Sequence, residues 1–192
     1  MASSEEVEIK FRVADLCALK AKLQQLGFQD VTERTHEMNV LFDLPGEPLR
    51  AKGEILRLRK YGERWVLTHK AKSKREEESY KSRIETETGV SDGEKMEAIL
   101  RALNFAPCFR YEKYRSEWKG ARGYVVVDET PIGNFAEIEG PVEWIDSVAK
   151  ALGINSGDYI KETYAGLFFE WKQNTGSTAS HMTFAGVRQT KP

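Results

Sequence analysis

Charged and apolar residues alternate along the first structured stretch of the chain, EEVEIKFRV, at residues 5–13. One parity carries only charged side chains and the other only apolar ones: Glu6, Glu8, Lys10 and Arg12 against Val7, Ile9, Phe11 and Val13. Because successive side chains of a strand point to opposite faces, this period of two predicts a β-strand. Taken alone, such a strand is ordinarily one whose charged face meets solvent.

Turn signals between further alternating stretches predict more strands, joined mainly by short connections. A short strand is predicted within residues 35–49, which end in a Pro/Gly loop, and a hairpin from residues 55–60 and 64–72 around a turn at 61–63. Later strands are predicted at 80–88, 110–118, 123–130 and 136–140. Short connections favour antiparallel pairing, so the predicted class is α+β with about eight strands.

Two of four predicted helices have an apolar face that repeats at helical spacing. The first follows Asp15 as N-cap and ends at Gly27. Its core face carries Leu16, Leu19, Leu23 and Leu26. The second spans about residues 91–104, with Ser91 or Asp92 as cap. Its apolar face carries Met96, Ile99, Leu100 and Leu103.

Two further helices and two irregular stretches complete the predicted chain. Pro141 opens a helix, and Ser156 is interpreted as the N-cap of the last one, over residues 157–172. Residues 72–78, KSKREEE, carry charge without apolar residues and predict a solvated loop. From Gln173 the residues are small and polar. We therefore expect one domain over residues 1–172 and a flexible polar tail over 173–192.

Composition excludes several classes of function. Hydrophobic residues make up 40% and charged residues 31% of the 192 positions, with 29 basic and 30 acidic side chains, so no basic excess indicates a nucleic-acid partner. The two cysteines, Cys17 and Cys108, form no metal-binding or disulfide pattern. No apolar run has the length of a signal peptide or a membrane span. A cytoplasmic location is the expectation.

Charged faces recur on nearly every predicted strand. The set comprises Glu6, Glu8, Lys10, Arg57, Arg59, Lys70, Lys72, Arg83, Glu85, Glu87, Lys113, Arg115, Asp128, Glu137 and Glu139. In an open sheet this face would be wet, while in a closed barrel it would line a polar interior. Surface ion pairs contribute only ~0–1 kcal/mol each, so a cluster of this size favours a functional role over a stabilising one.

Both signs of charge in one cluster indicate the kind of ligand. Eight of these side chains are Lys or Arg, which suit a polyanion, and arginine forks fit phosphate oxygens. The carboxylates would repel that polyanion unless divalent metal lay between them. Carboxylate oxygens are the ligands that Mg²⁺ and Mn²⁺ prefer. The pattern therefore favours a phosphate chain bound together with metal.

Four short motifs add a resemblance to a known family. EVEIK is an ExExK motif near the N-terminus, and LRLR, RSEW and FAEIEG follow it in order. Together they resemble the CYTH family, or triphosphate tunnel metalloenzymes, over residues 5 to about 170, closest to its class IV adenylyl cyclase-like branch. The resemblance implies an eight-stranded antiparallel barrel, flanked by about four helices, whose charged tunnel binds triphosphates with divalent metal.

The resemblance also implies roles for individual residues. Metal ligands, taking Mg²⁺ or Mn²⁺, would be Glu6, Glu8, Asp128, Glu137 and Glu139. Substrate phosphates would be bound by Lys10, Arg57, Arg59, Lys70, Arg83, Lys113 and Arg115. Catalytic roles would fall to Glu6, Glu8, Lys10, Glu137 and Glu139. Lys72, Glu85 and Glu87 share the face with less defined roles.

Three activities remain open for such a site. The first is metal-dependent hydrolysis of inorganic or nucleoside triphosphate, the second is conversion of ATP to cyclic AMP and pyrophosphate, and the third is polyphosphate binding without turnover. Leu41 stands where relatives often have a tyrosine, which counts against thiamine triphosphate. The expected partner is a triphosphate-containing small molecule such as tripolyphosphate or ATP, with no nucleic acid or membrane, and a homodimer is left open.

Overall fold

Eight strands form a closed antiparallel barrel in the computed structural model, which describes residues 4–73 and 80–188. In chain order the strands are β1 (Ser4–Arg12), β2 (Gln29–Asp43), β3 (Ile55–Tyr61), β4 (Arg64–Lys72), β5 (Lys81–Val90), β6 (Ala106–Lys119), β7 (Tyr124–Thr130) and β8 (Gly133–Glu139). Their order around the barrel is β1-β5-β4-β3-β2-β6-β7-β8. The predicted eight-stranded barrel is confirmed, and the open-sheet alternative is wrong.

Six α-helices lie within the described ranges, against about four predicted. They are α1 (Leu16–Gln25), α2 (Pro48–Lys52), α3 (Gly93–Ala102), α4 (Val142–Leu152), α5 (Tyr164–Thr175) and α6 (Phe184–Arg188), with a short 3₁₀ turn at Ser156–Asp158. Both additional helices, α2 and α6, have five residues, too few to show a helical period in the sequence. No helix among the described residues has the length and apolar character that crossing a membrane requires.

Helix caps follow the sequence at two sites and depart from it at a third. Asp15 and Asp92 each accept a hydrogen bond from the backbone three residues later, at 3.0 Å, as predicted for N-caps. The predicted cap Ser156 instead starts the 3₁₀ turn. Helix α5 begins later, because Thr163 caps it by accepting a hydrogen bond from Gly166 N at 3.2 Å.

Apolar strand faces point outward and pack beneath helices. One outer core includes Ile9, Phe11, Val125, Trp118, Leu23, Trp144 and Ile145, and lies where α1 and α4 cover the barrel. A second includes Val40, Phe42, Leu58 and Leu100, under α3. Three residues predicted to be core do not pack this way. Leu26, Ile99 and Leu103 are 40%, 52% and 61% exposed, because each helix touches the barrel with a narrower stripe than its apolar face.

A third apolar group, the closing cluster, fills one end of the barrel interior. Phe109 and Tyr111 share the inward parity of Lys113 on β6, and Phe135 shares that of Glu137 on β8. Helix α5 covers them with Tyr164, Leu167 and Phe168. The charged interior therefore begins where this apolar plug ends.

The stretch expected to be a flexible tail is ordered in the structure up to residue 188. Ala179, Met182 and Val187 are buried in the closing cluster. Met182 also bridges to β6, donating its N–H to the Arg110 carbonyl at 3.1 Å and accepting from Glu112 N at 2.9 Å. The segment is polar in sequence, but a few spaced apolar residues suffice to dock it. Residues 74–79, the bulk of the predicted solvated loop, and 189–192 lie outside the described residues.

Candidate active site

The inward strand faces and the start of α5 enclose a cavity of about 310 Å³. Charged side chains dominate its lining. Seven are basic and six are acidic: Lys10, Arg57, Arg59, Lys70, Lys81, Lys113 and Arg115, and Glu8, Glu85, Glu87, Glu117, Glu137 and Glu139. Because strand alternation sends every second residue inward, six of the eight strands supply this charged lining, with one to three residues each.

Three carboxylates from neighbouring strands form a cluster on one wall of the cavity. Register pairs Glu8 of β1 with Glu139 of β8, and Lys10 with Glu137. One oxygen each from Glu8, Glu137 and Glu139 lies within 4.8 Å of the other two. Glu8 and Glu137 are buried, and the donors are hard oxygens, so the set fits Mg²⁺ or Mn²⁺. Since Phe135 belongs to the closing cluster, the carboxylates lie further along β8, away from the closed end.

Glu137 of this carboxylate cluster is paired with two cations. Its carboxylate lies 3.2 Å from Lys10 Nζ and accepts from Arg115 Nη2 at 2.7 Å. Burial alone would raise the pKa of Glu137, but attraction to Lys10 and Arg115 outweighs it and holds the pKa well below its ordinary value. Glu137 is therefore an anion at neutral pH, as a metal ligand must be.

Asp128 binds two cations of the cavity and is not part of the carboxylate cluster. Its fully buried carboxylate accepts from Arg115 Nε and Nη2 at 2.7 and 2.6 Å, from Lys113 Nζ at 2.9 Å and from the Tyr164 hydroxyl at 2.6 Å. These bonds occupy both oxygens. The structure thus places Asp128 outside the three-carboxylate cluster, although the family resemblance implied that it is a metal ligand.

On the opposite wall, two arginines of β3 face the cavity. Arg57 is buried; its Nη2 donates to Thr68 Oγ1 at 3.3 Å and lies 3.8 Å from Glu87 Oε2. Arg59 lies 3.5 Å from the same Glu87 oxygen and 3.7 Å from Glu37 Oε2. The Nε atoms of both arginines are buried without a hydrogen-bond partner. Both arginines line the cavity, where a ligand oxygen would meet their guanidinium groups.

Besides Glu117 of the lining, two charged residues of the site were not predicted from the sequence. Glu37 of β2 is fully buried; its Oε1 lies 3.4 Å from Lys113 Nζ and its Oε2 4.0 Å from Arg115 Nε. Burial would raise the pKa of Glu37, but the surrounding cations lower it far below its ordinary value. Lys81 of β5 contacts Glu8 Oε1 at 2.5 Å. Both residues occupy strand positions whose side chains point inward, and this alternation is the sequence signal that could have identified them.

The remaining predicted residues are not all brought to the cavity. Lys70 lines it and forms an ion pair with Glu85. Arg83 is absent from the lining, and its Nη1 donates to the Gly53 carbonyl at 2.8 Å, which fixes the end of α2. Lys72 is exposed. Glu6 lies in β1 opposite Arg83, and its side chain is outside the described part of the structure.

The charges of this site come close to cancelling without a ligand. Glu37 and Asp128, buried behind the lining, bring the described carboxylates to eight against seven cations. A phosphate chain entering alone would leave an excess of negative charge in a desolvated space. Divalent cations entering with the chain would offset that excess.

Comparisons with known proteins agree with this geometry. A family model described as CYTH domain matches residues 4–164. A Methanocaldococcus jannaschii protein named "Putative adenylate cyclase" is 27% identical over an alignment of 170 positions, which covers 83% of this chain and 95% of that protein. A conserved hypothetical protein of Pyrococcus furiosus superposes with a TM-score of 0.69 at 26% identity, covering 83% of this chain and 97% of the other.

A Hippeastrum structure shows the same fold at lower identity. It superposes with a TM-score of 0.64 at 19% identity, covering 86% of this chain and 95% of the other. That protein is described as a "putative adenylyl cyclase" with a dominant triphosphatase activity. Because the family match covers most of the sequence and the closed barrel with its charged cavity agrees with it, the chain belongs to the CYTH domain family.

Proposed function

We propose that this protein is a divalent-metal-dependent triphosphatase, which binds inorganic or nucleoside triphosphate in the barrel cavity and hydrolyses it to release phosphate. One observation carries the proposal: seven cations and a cluster of three carboxylates face the same enclosed space of about 310 Å³. Cations alone would suffice for holding a polyanion, whereas the buried carboxylates suit the metal-assisted attack of water on it.

The cations of the cavity would grip the phosphate oxygens. Arg57 and Arg59 offer guanidinium donors from β3, and Lys113 and Arg115 offer theirs from β6 on the adjoining wall. Arg115 is fixed by two hydrogen bonds to Asp128, so it is already oriented before a ligand binds. Preorganised donors of this kind stabilise charge that develops in a phosphoryl-transfer transition state.

The three carboxylates would hold the metal. Glu8, Glu137 and Glu139 are the fitting residues, and when bound the metal supplies an activated water and neutralises phosphoryl charge. Glu137 stays ionised at neutral pH because Lys10 and Arg115 lower its pKa. Lys10 Nζ lies between Glu137 and the Glu162 carbonyl, 3.2 Å from each, so it is held beside the carboxylates where substrate oxygens would meet them.

A cyclase is the second candidate, because the 27% identical M. jannaschii relative carries the name adenylate cyclase. In that reaction the ribose 3′ hydroxyl of ATP attacks the α-phosphorus, and pyrophosphate leaves. The cations that bind the phosphates and the residues that hold the metal would be the same in both reactions, and only the nucleophile would differ. Fold alone does not choose between the two reactions. The third candidate is a polyphosphate-binding module without turnover. The carboxylate cluster argues against it, because holding a polyanion requires cations alone.

Product analysis distinguishes the three. Purified protein is incubated with Mg²⁺ or Mn²⁺ and either tripolyphosphate or ATP, and phosphate, pyrophosphate and cyclic AMP are measured. We expect phosphate release that depends on the metal. Cyclic AMP with pyrophosphate would identify a cyclase, and absence of every product would leave only binding.

Glu137→Gln provides the control for contaminating phosphatases. The amide keeps the size of the side chain but removes a charged metal ligand, so we expect turnover to fall below detection even with saturating Mn²⁺. Glu129→Gln, at an ion pair with the exposed Arg34 on the outside of the barrel, should retain activity. Normal turnover by the Glu137 variant would remove this residue from the reaction.

A further inference from the structure

Tyr164 occupies the point where helix α5 meets the charged cavity. It is the first residue of α5, directly after the cap Thr163, and it is 7% exposed. Its ring packs on Tyr111 at 6.0 Å between centroids and meets Phe135 edge-on at 5.7 Å. One side of the residue thus belongs to the closing cluster, and the other lines the cavity.

Two ammonium groups lie against this ring. Lys10 Nζ is 4.4 Å from the ring centroid and Lys113 Nζ is 4.8 Å from it. The two lysines come from β1 and β6, which are not neighbours in the barrel. Both ammonium groups are desolvated, where attraction to an aromatic ring is strongest. The ring therefore gathers two cations that would otherwise repel each other in a space of low dielectric constant.

The hydroxyl of the same residue reaches the anion that pairs with these cations. It donates to Asp128 Oδ2 at 2.6 Å, and that carboxylate holds Lys113 and Arg115. Burial, together with the negative charge of Asp128, raises the pKa of Tyr164 well above its usual value, so the hydroxyl remains a donor. Through Arg115 the chain of contacts continues to Glu137.

We propose that Tyr164 is a positioning residue for the phosphate-binding cations: its ring positions Lys10 and Lys113, and its hydroxyl fixes Asp128. Docking of α5 on the barrel and assembly of the phosphate-binding site then occur together. The inference rests on the proposed function only in taking a triphosphate as the ligand. A residue that merely filled the closing cluster would need the ring, but neither the hydroxyl bond nor the two ammonium contacts. Helix α5 is then part of the binding site rather than a cover on it.

Binding of a non-hydrolysable triphosphate tests this without requiring turnover. The probe is imidotriphosphate, with nitrogen in the bridging positions, titrated with Mg²⁺ present and followed by calorimetry. Tyr164→Phe keeps the ring and loses the hydroxyl, so we expect Kd to rise about 10-fold, the scale of one hydrogen bond to a charged group. Tyr164→Leu loses both features, and we expect a rise of about 100-fold.

A matched variant separates positioning from loss of stability. Val148→Ala removes packing from the outer core beneath α4 without touching the cavity, so it lowers Tm and should leave Kd unchanged. The graded order of wild type, Phe and Leu, at a Tm no lower than that of the Val148 variant, supports the proposal. Kd values of both Tyr164 variants within about twofold of wild type would overturn it.

The outcome for Tyr164 can be told apart from the outcome for the enzyme. Wild-type protein that binds imidotriphosphate but releases no phosphate from tripolyphosphate contradicts the triphosphatase and leaves the positioning role to be decided by the variants. If the wild-type protein hydrolyses tripolyphosphate, equal KM values for the wild type, Tyr164→Phe and Tyr164→Leu would contradict the positioning role. The proposal that the protein is a triphosphatase would still hold. Absence of binding by the wild type overturns both.

Discussion

Each charged side chain of the cavity is held by particular neighbours, and those neighbours decide what its loss would do. Arg57 and Arg83 have similar sequence surroundings, since both alternate with apolar or small residues on a strand. The structure separates them. Arg57 lines the cavity with an unpartnered Nε, whereas Arg83 is committed to the Gly53 carbonyl.

Arg57→Ala and Arg83→Ala therefore form a matched pair. Removing Arg57 should raise KM for tripolyphosphate by about 10- to 100-fold, which corresponds to ~1.5–3 kcal/mol for a hydrogen bond to a charged group. Removing Arg83 should change KM by less than about twofold. Steady-state kinetics at saturating Mg²⁺ measures both. Equal effects of the two substitutions would contradict the assignment of Arg57 to the cavity.

Glu37 links the site to the stability of the fold. Its pKa is lowered in the folded protein, because Lys113, Arg115 and the β3 arginines outweigh the effect of burial. Because the pKa of Glu37 is lower in the folded than in the unfolded protein, the ionised carboxylate stabilises the fold at pH values above its unfolded-state pKa of about 4.5. This stabilisation is progressively lost as the pH falls below that value.

Glu37→Gln should destabilise the protein at pH 7 by about 3–5 kcal/mol, since it removes one of the carboxylates that balance the buried Lys113 and Arg115. The Tm difference from wild type should shrink as pH falls below about 4.5, where Glu37 of the unfolded chain begins to take up protons while Glu37 of the folded protein stays ionised. Thermal unfolding measured from pH 3 to 8 checks both statements. A Tm difference independent of pH would show that the charge of Glu37 is not what stabilises the fold.

Parity along single strands predicted most of the cavity residues, including Glu8, Lys10, Arg57 and Glu137. It could not tell which charged residue of an inward face reaches the cavity and which binds backbone outside it, and Arg83 is such a case. Tyr164 lies on a helix, so no strand pattern marked it. Its role depends on where α5 docks, which is a long-range contact that local sequence does not encode.

At the scale of elements, the sequence predicted regular strands and capped helices better than irregular ones. Strand β2 runs over 15 residues, far beyond the short strand expected, because its first half is polar and its pairing with β6 shifts register twice between Asp30 and Thr35. Such irregularities break the period of two from which strands are recognised. The last helix was placed too early for a similar reason, since a 3₁₀ turn with its own capping box precedes it.

Met182 tests the docking of the C-terminal segment. Its side chain is fully buried in the closing cluster, so Met182→Ala should lower stability by about 2–5 kcal/mol through lost burial and the cavity left behind. Gln173→Ala, at an exposed position of α5, should change stability by less than about 0.5 kcal/mol. Chemical denaturation measures both. A wild-type stability for the Met182 variant would mean that this segment does not contribute to the fold in solution.

For the whole molecule, closure of the barrel is what turns separate charged faces into one site. Strand patterns alone were compatible with an open sheet and with a closed barrel, and the family resemblance implied the barrel. The closed interior holds eight carboxylates and seven cations among the described residues, so its charge is nearly balanced before a ligand binds. Binding of metal and binding of triphosphate should therefore depend on each other.

Thermal shifts measure that dependence. Tripolyphosphate and Mg²⁺ together, at about 100 times their Kd, should raise the stability of the fold by ~2.7 kcal/mol, or Tm by about 5–10 °C. Either component alone should raise Tm by less than half as much, since each alone leaves one sign of charge in excess. Additive shifts from the two components would contradict the coupling. Sodium sulfate at equal ionic strength serves as the control.

The pairing of Met182 with β6 has one further consequence. Strand β7 covers β6 only from Tyr114 to Lys119, so the half of β6 before residue 114 has one side open to another partner, and the Met182 bridge occupies part of it. Exposed backbone of this kind recruits strands from other molecules. A chain that ends before residue 177 would lack Met182 and expose this edge of β6. The first visible effect of losing the segment would be self-association at high concentration, rather than a change in the chemistry of the cavity.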